Sequence, residues 1–218
     1  MCDVGMREHE PMAPATGGTT SIELLLDAAA EAQVRAEWDL LAAGGMSSMA
    51  GHEAASNRPH VTLLARSAPV RHPLRVASGL PLPLTLGAPL LFGDGDRRVL
   101  ARSIVPSAGL LALQRAVLDA VGGLVDAGID DRLERHDERD PHGHDERDPH
   151  PHPHPHDERA DRSFAPGRWT PHVTLARRIR LVDLPDALRL LGMPIEAHGV
   201  ALRRWDAATA TVSSIHPA

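Results

Sequence analysis

Lysine and tyrosine are both missing from this 218-residue chain, and its only aromatic side chains besides histidine are three tryptophans and two phenylalanines. All 23 basic side chains are therefore arginines. That uniformity reads first as compositional bias and only second as phosphate recognition, which the planar guanidinium suits. So few rings argue against a long platform for stacking single-stranded bases. The one cysteine, Cys2, excludes an internal disulfide and fits a reducing compartment. No stretch approaches the roughly 20 apolar residues that span a bilayer. The N-terminus has no apolar run behind basic residues, so no signal peptide is expected. These absences predict a soluble, cytoplasmic protein, and a monomer is expected.

The formal charge of −6 is concentrated in one place. Between His136 and Asp161 stand nine acidic residues and three arginines, and the rest of the chain balances. A surface that coats polyanions is thereby excluded, so any nucleic acid would be met locally, at a site. The same segment holds seven of the fourteen histidines, in HDERDPH at 136–142 and 144–150 followed by PHPHPH. It has no Val, Leu, Ile, Met or aromatic residue to bury, which predicts a disordered, partly polyproline-II insert at about 130–163. Loose divalent-metal binding is the one role that its histidines suggest. Residues 1–18, polar and without periodicity, read as a disordered tail.

Between these segments the pattern is that of a folded domain over 19–218. Residues 19–26 read as a strand, and Asp27 as the cap of a helix over 28–43 that Gly44-Gly45 ends. Trp38 keeps the spacing of that helix's buried face and is assigned to the core. A loop over 46–59 leads into a strand at 60–65. Residues 69–78 are ambiguous, with a short helix as one reading. Strands at 82–92 and 99–105 flank Gly93-Asp94-Gly95-Asp96, a hairpin signal. Ser107 caps a helix over 108–121 whose face is Leu110, Leu111, Gln114, Val117, Leu118 and Val121. After the insert come a strand at 171–179, a helix at 184–191, and a hairpin of 195–205 with 208–215. Mixed strands and helices with hairpins and no βαβ phosphate fingerprint predict the α+β class.

One five-residue word occurs twice. Pro59-His60-Val61-Thr62-Leu63 recurs as Pro171-His172-Val173-Thr174-Leu175. Its β-branched centre favours a strand, whose side chains alternate between faces. His60 and Thr62 then share one face, as do His172 and Thr174, while the valines and leucines point to a core. Unperturbed histidine titrates near ~6.5, so one imidazole can act as base while another acts as acid. Displacement at a phosphodiester needs one of each on opposite sides of phosphorus. The threonine hydroxyls are placed to donate to the non-bridging oxygens, where charge accumulates. No metal or other cofactor is required. His52, His72, His198 and His216 have no motif partner and read as surface or packing residues.

The paired His-x-Thr-Leu words resemble those of the two-histidine (2H) phosphoesterase superfamily, in particular its bacterial branch similar to 2′-5′ RNA ligases. The resemblance covers about 19–215 apart from the insert. It implies an α+β fold of two lobes, each an antiparallel sheet flanked by helices, related by a pseudo-twofold around a central cleft. It also implies metal-independent opening of 2′,3′-cyclic phosphates of RNA ends or nucleotides to 2′-phosphates, with 2′-5′ RNA ligation as a further activity. By the same resemblance the arginine five residues after the second motif histidine, Arg177, contacts phosphate. Strict alternation instead puts Arg178 on the His172 face and Arg66 on the His60 face, which keeps Arg66 as the second substrate-binding residue. Trp169 is either a nucleobase-stacking residue or a hydrophobic plug at the strand entrance. Which histidine is acid and which is base stays open; the resemblance leans to His172 handling the water and His60 the leaving oxygen. Two rival functions remain: an RNA-end binding module without turnover, and a metal buffer acting through the histidine-rich insert.

Overall fold

A computed structural model of the chain describes residues 19–217 except 53, 55, 68–73, 77–78, 123–163 and 166. The tail at 1–18 and the insert at about 130–163 lie outside the described residues. Strand β1 (Thr20–Leu26) is buried along its whole length. Helix α1 (Ala28–Ala43) starts where the Asp27 carboxylate accepts the Ala30 N–H at 3.0 Å. It stops at Gly44, followed by Gly45 at a φ of 71° that a side chain would disfavour. Its buried face is Ala30, Val34, Glu37, Trp38 and Leu41. The two words open β2 (His60–Arg66) and β6 (His172–Arg180).

Between those strands lie β3 (Arg75–Val76), β4 (Leu82–Phe92), β5 (Arg97–Ile104) and α2 (Ala108–Gly122). After β6 come α3 (Leu184–Leu190), β7 (Ile195–Asp206) and β8 (Thr211–Pro217). Two details of the sequence reading change. Arg75 and Val76 form a strand, not a helix, pairing in parallel with His216 and Pro217 at the end of β8. An isolated helix this short is marginal in water, whereas an open strand end supplies hydrogen-bond partners. On α2, Leu111 is 49% exposed and Leu113 is buried at 5%. The packed stripe is thus Leu110, Leu113, Gln114, Val117 and Val121, which is still helical spacing.

The eight strands form one sheet of order β2-β1-β7-β4-β5-β6, with β8 added on β7 and β3 on β8. All pairings are antiparallel except β3 with β8. This is a mixed α/β architecture compatible with the α+β expectation. Helix α1 lies against β6 and β7, and α2 against β2 and β4. Strands β2 and β6, the two ends of the path, lie against each other without pairing. Among the described residues no helix is long and apolar enough to cross a membrane.

The apolar half of each word anchors the core: Val61, Leu63, Val173 and Leu175 are fully buried. Each such side chain stabilises the fold by about 1.5–3 kcal/mol relative to an exposed position. Charged groups share this interior. Arg102 on β5 is fully buried and forks onto Glu37 of α1, with Nε donating to Oε2 at 2.7 Å and Nη2 donating to Oε1. Its remaining donors reach the carbonyls of Gly87 on β4 at 3.0 Å and of Gly192, between α3 and β7, at 2.8 Å. The Gly192 N–H returns to Glu37 Oε1 at 3.2 Å.

Candidate active site

Each motif histidine stands at the first residue of its strand and is half-buried. His60 Nδ1 lies 2.6 Å from the carbonyl oxygen of Arg58, and His172 Nδ1 lies 2.7 Å from that of Thr170. In both cases the partner is the residue two positions earlier. A carbonyl oxygen only accepts, so both Nδ1 atoms carry hydrogen, and Nε2 of each neutral ring is left with its lone pair. The two rings are therefore held in the same tautomer by the same backbone device.

The strands also share an irregularity. Ile22 pairs with Leu64 but Glu23 with Thr62, and Leu100 pairs with Ala176 but Ala101 with Thr174. Each word strand thus carries one extra residue just after its threonine, a bulge. Consecutive residues are buried there, Leu63 with Leu64 and Leu175 with Ala176. Beyond the bulge the alternation is inverted. Ala65 and Arg177 return to the histidine faces and line a cavity of about 520 Å³ together with His60 and Thr62. Strict alternation, which favours Arg66 and Arg178, fails for this reason. Arg66 does not line the cavity, whereas Arg177 reaches it from β6.

His172 and Thr174 are half-buried on the neighbouring strand and are not part of that cavity's lining. The His172 ring packs on Phe92 with centroids 4.6 Å apart. Each word accepts a bond from an indole. Trp169 Nε1 donates to the Thr62 carbonyl at 3.0 Å, and Trp38 Nε1 donates to the Thr174 carbonyl at 3.1 Å. The N–H of Trp169 is engaged by this bond, and its half-buried ring lies against the core. Among the described residues, no three His, Cys, Asp or Glu side chains gather as a metal site.

No family model matches this chain, and no curated protein matches it.

Among the polar residues that the motif did not reveal, Ser21 and Glu23 of β1 and Arg203 of β7 also line the cavity. Arg203 Nε donates to Glu23 Oε2 at 2.6 Å, and the Ser21 hydroxyl donates to Glu23 Oε1 at 2.6 Å. Glu23 Oε1 lies 3.5 Å from His60 Nε2. The signal in the sequence was a single charge inside the apolar strand TSIELLL. His52, read as a surface or packing residue, lines the same cavity.

His60 is held below its ordinary value of 6.5, chiefly because burial disfavours the charged ring. Glu23 and the Arg58 carbonyl oppose this, while Arg203 and Arg177 reinforce it. About a quarter of the side chain, 26%, stays open to solvent. The unfolded chain takes up this proton near pH 6.5 and the folded chain resists it, so the unfolded state binds more protons below that pH. Stability carried by the neutral ring is full above pH ~6.5 and is lost as pH falls toward the folded value. Urea denaturation at a series of pH values should show wild-type stability falling more steeply below pH ~6.5 than that of His60→Gln. Parallel curves would rule out this linkage.

Proposed function

We propose that this chain is a two-histidine phosphoesterase that opens 2′,3′-cyclic phosphates of RNA ends or nucleotides to 2′-phosphates, without a metal. The observation that carries the reading is the matched pair of Nδ1 bonds, each to the carbonyl two residues back, on strands that lie against each other. The finer fold follows the same reading: two lobes related by a pseudo-twofold, one built on β1–β2 and the other on β5–β6. Corresponding bulges, and indole bonds to Thr62 in one half and Thr174 in the other, support it.

The chemistry balances with these side chains alone. Water attacks phosphorus, one Nε2 takes the water proton, the P–O3′ bond breaks, and the other Nε2–H protonates O3′. Proton exchange with solvent resets both rings. Thr62 and Thr174 donate to the non-bridging oxygens, and Arg177 offsets the charge that builds there. We assign His60 as the base, because burial keeps its ring neutral, and His172 as the acid; this reverses the lean given by family resemblance. With a 5′-hydroxyl in place of water, the same step forms a 2′-5′ linkage.

The test is turnover of 2′,3′-cyclic nucleotides and of an oligoribonucleotide ending in a cyclic phosphate, with EDTA present. A 2′-phosphate product from either is expected. Folded protein inert on both would sink the reading.

A further inference from the structure

Glu23 is out of place in its strand. It is the one charged residue of β1, it is 4% exposed, and both its oxygens are fixed, Oε1 by Ser21 and Oε2 by Arg203. A buried ion pair contributes little net stability compared with well-packed apolar residues. The other half of the sheet shows that packing at this place does not need one. Glu23 stands opposite Thr62 and is flanked by Arg203; Ala101 stands opposite Thr174 and is flanked by Leu90. Two similar frames thus differ by one charged pair, and it lies beside His60 only.

Resting on the phosphoesterase reading above, we infer that Glu23 is a positioning residue for His60, whose fixed carboxylate stabilises the imidazolium formed as Nε2 takes a proton. At 3.5 Å the carboxylate acts by charge while leaving the Nε2 lone pair to a reacting group. It cannot work from the other side of the ring, because Nδ1 is committed to the Arg58 carbonyl. Among the described residues, the titratable groups lining the cavity with His60 are Glu23 on β1, Arg203 on β7, Arg177 on β6, and His52 from the loop before β2. The Arg58 guanidinium is tied to Glu31 at 2.6 Å. Glu23 is thus the one carboxylate among the described residues lining the cavity, set against two guanidiniums. Its charge raises the proton affinity of the ring against burial and the two guanidiniums, and a general base works best with a proton affinity matched to the medium. With it, Arg203 is also locked in place and partly neutralised.

The experiment compares wild type, Glu23→Gln and Glu23→Asp by the pH profile of kcat/KM on a 2′,3′-cyclic nucleotide, and by NMR titration of the His60 ring. Loss of the charge in Glu23→Gln should move the acid limb and the His60 titration to lower pH, on the order of one pH unit. Glu23→Asp keeps a charge but retracts it, and should move both by less. If Glu23→Gln is too unstable to study, Glu23→Asp alone carries the test. An unmoved limb and unmoved titration would reduce Glu23 to a structural ion-pair partner and overturn the inference, even if rates fall uniformly. Inert wild type would overturn the phosphoesterase reading instead, while the NMR titration still decides whether Glu23 governs the proton affinity of His60.

Discussion

Replacing either His60 or His172 by alanine is expected to slow cyclic-phosphate opening by about 10²- to 10⁴-fold while leaving the fold intact. The two losses should be similar, because acid and base act in one displacement and removing either leaves it half-catalysed. They should also fail to add in the double variant, as expected of groups that work as a unit. Neither ring is a core residue: both are half-buried, and each makes one ring-to-backbone bond at the start of its strand. Circular dichroism should therefore be unchanged. A loss confined to one variant would mean that the words are not functionally paired, and would leave a single-histidine mechanism or a binding site.

The second large effect concerns stability. Truncating one partner of the Arg102–Glu37 pair to alanine leaves the other as a buried, uncompensated charge, which costs about 3–5 kcal/mol. For a chain of this size that lowers the thermal midpoint by on the order of 10 °C. The double variant Glu37→Leu/Arg102→Met should regain much of the loss, since apolar side chains of similar volume replace such pairs well. Full recovery is not expected, because the Gly87 and Gly192 carbonyls lose their donor. Calorimetry on the four proteins decides the matter. A Leu/Met variant no more stable than the single alanine variants would show that an uncompensated buried charge is not what destabilises them.

Much of this was readable from the sequence because it is local. The Asp27 and Ser107 caps, the glycine turn before β5 and the polar-apolar alternation of the words all depend on near neighbours in the chain. What escaped depends on partners far away. A bulge exists only relative to the strand opposite, so nothing within His60–Arg66 announces that Leu63 and Leu64 will both face inward. That shift on β2 puts Ala65 rather than Arg66 on the cavity's lining, and the matching shift on β6 puts Arg177 there. Likewise Glu23 acquires meaning only when β7 brings Arg203 alongside, 180 residues on. The bond of Trp169 is of the same kind, since it spans from the entrance of β6 to β2.

The entrance to β6 is fastened three times before His172. Gln114 of α2 donates to the Phe164 carbonyl at 2.8 Å, Trp169 bonds Thr62, and the Ile104 N–H holds the Pro171 carbonyl at 2.9 Å. The first of these fasteners starts on α2, the last described element before residue 123, so departure and return are stitched to the same helix. The place of His172 is thus set by contacts on either side of residues 123–163, not by the number of residues that run between them.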